Sequence, residues 1–476
     1  MQGMEGHIGT EKPKGIRVVM SGKIKILFFT YSPWDENRSM GETYSNIFGS
    51  MLDRLEVAHL FFSPAMPDNP ICFTCYNIPY NQLLYSAISG KAVGGVLPFV
   101  KNRIHREEAI GKGSNFYGYL RKTPIFSLME SIFGYYGHWD TPQLSNFISA
   151  FSPDLILYGT EESVCANRIL QYIHRAFRIP IVSFLWDECF SLTPNSFWPS
   201  NIIKNIIERC YRRRCIVKSD VIFTISEKMR DEYSELLGMR CVLLNKGHDI
   251  SVKKRMPEYN SGSTKIVYLG TLCNGRLKTL AKVCKCIQKL NNEGHDVKLD
   301  IYTISRISSR IIKELETCPQ CVIMPFVHNA ERNAIMEAAD MLLHIEPLSR
   351  SKCKIYRLSL SSKIVDYLYA ARCILAVGGR TGTMEYLNAK HAAVVENDAK
   401  KFYSVIKTLI SDKRKMRQYA ANAWECCVQY HDIRHIRKRF LATIEDVIAR
   451  NRRSENADRC VNFSKNYGCK ELNEQG

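Results

Sequence analysis

Short apolar runs alternate with helical patterns along most of this chain, in two successive series, and that alternation restricts the fold more than any other feature. KIKILFFT (Lys23–Thr30) is apolar at consecutive positions, as a strand covered on both faces requires. DLILYG (Asp154–Gly159), IPIVSFLW (Ile179–Trp186) and SDVIFTIS (Ser219–Ser226) repeat the pattern, and CANRILQYIHRAF between the first two has helical spacing. The stretch LLNKGHDISVKKRMPEYNSGSTK is polar and carries Gly and Pro, so it reads as a connection. Beyond it come KIVYLG, a helix over Lys278–Gly294, VKLDIYT, a helix near Ser309–Glu316, CVIMPFV, ERNAIMEAAD and MLLHIE. Strands alternating with helices mean parallel sheets, and two series mean two doubly wound α/β domains. A length of 476 residues agrees, because one hydrophobic core rarely grows that large.

The expected boundaries are 23–245 for the first domain and 246–429 for the second. A final helix over about Ile433–Arg450 carries Ile436, Phe440, Ile444 and Val447 on one face, and residues 451–476, polar and aperiodic, are expected to be a disordered tail. No apolar run reaches the roughly 18 residues of a spanning helix, and residues 1–20 lack a signal-peptide core. The expectation is a cytoplasmic protein with reduced thiols. Its 18 cysteines include two C-x-x-C pairs, Cys72–Cys75 and Cys318–Cys321, without histidines at zinc-finger spacing. A net charge of +19 asks for an acidic partner, which nucleotide phosphates, anionic lipid or nucleic acid would each satisfy.

The richest segment is LSLSSKIVDYLYAARCILAVGG (Leu358–Gly379). A helix starting near Ser362 places Ile364, Tyr367, Leu368 and Ala371 on one face, with Ser361 or Ser362 as its cap and Asp366 one turn in. Free N–H groups and the positive end of the dipole there attract phosphate, and a carboxylate at Asp366 can accept ribose hydroxyls. The plainer alternative is a Ser-capped helix whose Asp complements the dipole. YLGTLCNGRLKTL ends a strand at Gly270 and enters a helix with Arg276 and Lys278, cations suited to a diphosphate or simply to solvent. Gly41 stands at another helix entrance, where backbone can approach a ligand closely.

Taken in order, KILFFT…MGETYS, SDVIFTISEKM, LLNKGHD, KIVYLGTLCNGRLKTL, ADMLLHI and SSKIVDYLYAARCILAVGG resemble the GT-B-fold retaining glycosyltransferases of the "glycosyl transferases group 1" type, across most of residues 23–395. The resemblance implies two Rossmann-like domains facing across a cleft, with the C-terminal helix, 430–450, returning to the first. It implies transfer of a hexose from a nucleotide-sugar donor to a saccharide or lipid-linked acceptor, with retention, in surface polysaccharide or glycolipid synthesis. By similarity, Asp366 takes the ribose-binding place and the amides around Ser362 and Lys363 the diphosphate place. Arg276 would neutralise the leaving phosphate with help from Lys278, and Gly41 and Gly270 would admit the donor.

Two departures stand out. Leu358 occupies the position where relatives often carry a Glu near the sugar, which leaves Glu346 or the Ser349–Tyr356 loop as substitutes. After IPIVSFLW, where many relatives carry His, stand Trp186, Asp187 and Glu188, and Asp187 is the candidate for contact with the reacting sugar; His138 is a further one. Ala371 and Cys373 stand where Gly and Pro are usual. No D-x-D occurs, so the expectation is catalysis without a metal and with no cofactor. NIIKNIIERCYRRRC (Asn201–Cys215) is a basic amphipathic helix that either packs on the core or lies on an anionic inner-membrane surface. The aromatic-rich region 61–145 is the expected acceptor surface. Among other classes, a sugar-nucleotide epimerase shares two such halves and a basic nucleic-acid binder shares the charge. A dinucleotide dehydrogenase lacks its G-x-G-x-x-G. Nucleic acid is not the expected partner.

Overall fold

The computed structural model describes residues 22–467 apart from 37–38, 98–123, 161–162, 191–198, 253, 255, 260–261, 306–317, 326 and 328. The expected helix near Ser309–Glu316 lies outside the described residues. Two sheets divide the chain as the two series predict. The first is built from β1 (Ile24–Thr30), β2 (Leu55–Phe61), β3 (Thr74–Asn77), β4 (Gly95–Leu97), β5 (Leu155–Gly159), β6 (Ile181–Leu185), β7 (Val221–Thr224) and β8 (Cys241–Leu243). Their spatial order is β4-β3-β2-β1-β5-β6-β7-β8, parallel throughout except that β4 runs antiparallel to β3. Every side chain of β5, β6 and β7 is buried, which is why those strands read as unbroken apolar runs.

The second sheet has β9 (Thr264–Leu269), β10 (Val297–Tyr302), β11 (Cys321–Met324), β12 (Met341–Ile345), β13 (Cys373–Val377) and β14 (Val394–Glu396) in the order β11-β10-β9-β12-β13-β14, all parallel. In each sheet the order reverses beside the first strand, between β1 and β5 and between β9 and β12. Ligands of doubly wound sheets bind at such reversals, beyond the carboxyl ends of the strands.

After the second sheet the chain crosses back. The helix Ile433–Tyr467 inserts Ile436, Phe440, Ile444 and Val447 into the core of the first sheet. Phe440 meets Phe48 at 5.3 Å and Phe223 at 5.5 Å between ring centres. Arg437 donates to the carbonyls of Asn46 and Ile47, and Arg452 pairs with Asp154 at 2.8 Å. The expected disordered tail is corrected here, because helix continues from Arg450 to Tyr467. Residues 451–467 contain neither Gly nor Pro, so nothing stops the helix before Gly468 even though no apolar stripe marks it. Residues 468–476 lie outside the described residues. No helix among the described residues is long and apolar enough to cross a membrane.

Candidate functional site

The carboxyl ends of both sheets open onto one cleft of about 660 Å³. From the first domain it is lined by Met40 and Thr43 after β1, Trp186 and Asp187 after β6, Ile225 after β7, and Asn245 and Lys246 after β8. From the second it takes Gly270 after β9, Arg276, Glu346 immediately after β12, and the start of the helix Ser362–Tyr369.

That helix carries Ile364, Tyr367 and Leu368 into its own domain, and the Tyr367 hydroxyl accepts the Leu269 N–H at 3.0 Å. The anchor fixes the helix against the strand that ends at Gly270. Ser361 occupies the cap position, yet no side chain caps the helix, and the Ser361 N–H goes to Thr383 Oγ1 at 3.0 Å. Ser361, Ser362 and Lys363 all line the cleft, so the positive end of the dipole faces the cavity.

The Lys363 amine is the most telling group. A methyl placed on Gly270 would meet the Tyr268 hydroxyl at 2.6 Å and then Lys363 Nζ at 3.1 Å, so glycine here makes room first for the Tyr268 ring, with the amine close beside it. Burial, reinforced by the charges of Arg276 and Arg332, pushes the amine down to about 8. Among the described residues no carboxylate forms an ion pair with it. A cationic pocket of this kind is poised to receive an anion.

Arg276 is held from behind. Its Nη2 lies 3.0 Å from Glu346 Oε2, and Tyr356 lies under the guanidinium at 4.5 Å. The other Glu346 oxygen meets His344 Nε2 at 3.1 Å. Burial works to raise the Glu346 carboxyl, but His344 and Arg276 outweigh it and hold the group ionised below the usual carboxylate range. Glu346 therefore positions a cation and is already engaged on both oxygens. Lys278 is not brought into the cleft. Two residues on from Arg276 means about 200° around a helix, so it turns to solvent while Arg276 turns in.

Asp366 lies in the cleft, with its Oδ1 2.6 Å from Lys246 Nζ and 2.8 Å from His248 Nε2. Burial would raise its carboxyl, but Lys246 and His248 hold it well below the ordinary value. Lys246 also reaches Glu42 at 2.8 Å, and Glu42 reaches Arg332 at 2.9 Å. An ionic chain thus runs from the second domain through the first and back. Gly41 is buried inside the helix Ser39–Phe48 and does not line the cleft; a methyl there would collide with the Asp35 carbonyl oxygen at 1.9 Å. Its work is to let that helix close on its own loop, while its neighbours Met40 and Thr43 reach the cavity.

Asp187 stands at the mouth and accepts from the Ser359 hydroxyl of the opposite domain at 2.8 Å. Leu358 does not face the cavity. It is fully buried in the core of the first domain, and its carbonyl accepts from Ser226 Oγ at 2.6 Å. His138 is outside the cleft lining and bonds to the Ser86 carbonyl through Nδ1 at 3.0 Å. The C-x-x-C pair at Cys318 and Cys321 is buried with sulfurs 3.3 Å apart as free thiols, and burial lifts the Cys318 thiol to about 12. Among the described residues no cluster of three or more His, Cys, Asp or Glu side chains stands where it could hold a metal ion.

Sequence reasoning missed Lys246, Arg332, His248 and the side chain of Lys363. The first and third lie in NKGHD, whose polar letters mark a domain junction as readily as a site. Arg332 sits on a helix with no distinguishing motif.

No family model matches the chain, and no curated protein matches it. Solved structures do. Anabaena Alr3699/HepE in complex with UDP and glucose aligns with a TM-score of 0.54 at 14% identity, over 89% of this chain and 99% of that one. Sucrose-phosphate synthase from Thermosynechococcus elongatus aligns at 0.58 and 9% identity, over 90% and 100%. WaaG, a glycosyltransferase involved in lipopolysaccharide biosynthesis, aligns at 0.55 and 11%, over 88% and 99%. Two parallel sheets facing each other across a cleft, with a C-terminal helix crossing back to the first, give this chain the GT-B fold of those glycosyltransferases.

Proposed function

We propose that the chain is a retaining glycosyltransferase that takes a hexose from a nucleotide-sugar donor and passes it to a saccharide or lipid-linked acceptor in polysaccharide or glycolipid synthesis. The observation that carries this reading is the buried Lys363 amine, set beside Arg276 and before an uncapped helix N-terminus. Those groups match a diphosphate in charge, and Asp366, one turn further along the same helix and in the same cleft, matches a ribose. Breaking the sugar–phosphate bond builds negative charge on the leaving diphosphate. Arg276, fixed in advance by Glu346, stabilises that charge without reorganising.

The same cations argue for transfer without a metal. A divalent ion beside Arg276, Lys363 and Arg332 would meet repulsion from groups already doing its electrostatic work. Asp187, with one oxygen on Ser359, is the candidate for a sugar hydroxyl. No cofactor is needed beyond the donor itself.

Thermal shift with UDP and a panel of sugar nucleotides tests the reading, since a binder raises the melting temperature according to its concentration over Kd. A shift is expected for at least one donor and is expected to disappear in Arg276→Ala. Product analysis by NMR then checks the anomeric configuration, and EDTA is expected to leave turnover unchanged. Absence of any shift at millimolar nucleotide would sink the proposal, and an epimerised donor as the product would replace it.

A further inference from the structure

The helix Pro199–Ile216 is inside out. An ordinary surface helix turns its apolar stripe to the core and its charges to water. Here Ile202, Ile203, Ile206 and Ile207 are exposed, between 36% and 49%, whereas Glu208 and Arg212 are buried. Glu208 accepts from Ser131 Oγ at 2.9 Å, and Arg212 reaches the Cys189 carbonyl at 3.4 Å. The helix Pro124–Tyr136 packs alongside and behaves the same way. It buries Ser131 toward Glu208 and exposes Met129, Ile132 and Tyr136. Two neighbouring helices therefore bond to each other through polar groups and turn apolar side chains outward. The Tyr135 and Tyr211 rings meet between them at 6.4 Å. A patch of this composition on two adjacent helices marks a docking surface.

We propose that this helix pair seats the protein on an anionic lipid bilayer. The choice of occupant rests on charge. Arg213 and Arg214 stand exposed at the end of the apolar stripe, and the whole chain carries +19. Two copies docked through this face would bring those arginines toward one another and repel. A bilayer with acidic headgroups neutralises them while its acyl boundary receives the isoleucines. The proposal stands on these two helices and is independent of what the cleft binds.

The test is co-sedimentation of the full chain with vesicles of pure phosphatidylcholine or of phosphatidylcholine with about a third phosphatidylglycerol. Binding at least ~10-fold stronger to the anionic vesicles is expected, weakening as salt is raised. Ile203→Asp with Ile206→Asp should cut that binding ~10-fold or more, and Arg213→Ala with Arg214→Ala should cut it severalfold. If the aspartates disturb folding, Ile203→Ser with Ile206→Ser asks the same question more gently. The UDP thermal shift should survive in all of these variants, which separates failure here from failure of the donor site. Equal sedimentation of wild type and the isoleucine variants, or none with either vesicle, overturns the proposal. So does a dimer in sedimentation velocity that dissociates in the isoleucine variants, which would assign the face to a second copy.

Discussion

Lys363 shows how one side chain can report on a ligand. Its amine sits near 8 in the free protein, and a diphosphate beside it will raise that value. Donor affinity should then be flat below pH 8 and fall by up to ~10-fold per unit above it, measured by calorimetry from pH 7 to 10. Lys363→Met should weaken the donor by ~10- to 100-fold with no loss of thermal stability, because it removes a buried charge that has no carboxylate paired to it. Asp366 is the opposite case. Its removal takes one of two carboxylate partners from Lys246, whose side chain is only 3% exposed, and leaves it Glu42, so Asp366→Ala should cost about 1–3 kcal/mol and confuse binding with folding. Leu358→Glu, which would restore the residue usual in relatives, should destabilise by several kcal/mol and bring no gain in turnover, since that side chain lies in a core. Chemical denaturation checks both. Ala371, in the place of a usual Gly, adopts φ +53° and is fully buried. The left-handed strain of about 1–2 kcal/mol is offset by a buried methyl worth about 0.8 kcal/mol and by the lower chain entropy of Ala. The two nearly cancel, which is why the substitution is tolerated.

Elements were legible wherever burial on both faces forced an apolar run. β5, β6 and β7 fall inside the segments that periodicity marked, trimmed by at most two residues at either end. What periodicity cannot supply is the direction an apolar face points. The isoleucines of Pro199–Ile216 have the spacing of a core stripe, and only the buried Glu208–Ser131 bond reveals that the helix is turned around. The site was legible in one piece, because Ser361 to Asp366 is contiguous, whereas its cation cluster is gathered from residues nearly a hundred positions apart. Ile433–Tyr467 binds the ends of the chain together at the level of packing. Phe440→Ala should cost about 3–5 kcal/mol, read as a lower melting temperature of the first domain, with the donor shift retained in what remains folded.

Across the molecule, Glu42 of the first domain ties by charge to Lys246 and Arg332 near the cleft, and the second domain adds its own paired carboxylates there. Asp366 and Glu346 are both held below their ordinary carboxyl values by neighbouring cations. Stability from such groups is present above the unfolded carboxyl range and is lost as pH falls through and below it. The melting temperature should therefore drop steeply between about pH 5 and pH 3, and less steeply in Glu346→Gln. Arg357 adds a tie from the second domain to Glu188 of the first at 2.6 Å. Next to it, the peptide of Leu358 belongs to one domain by sequence and to the other by packing. Four residues later begins the helix whose N-terminus faces the cleft. Mechanically, that short segment is a tendon with one end sunk in the opposite body. A ligand that draws on the helix would transmit tension to the far domain along five residues of backbone, so the jaws of the cleft cannot swing without moving the floor between them.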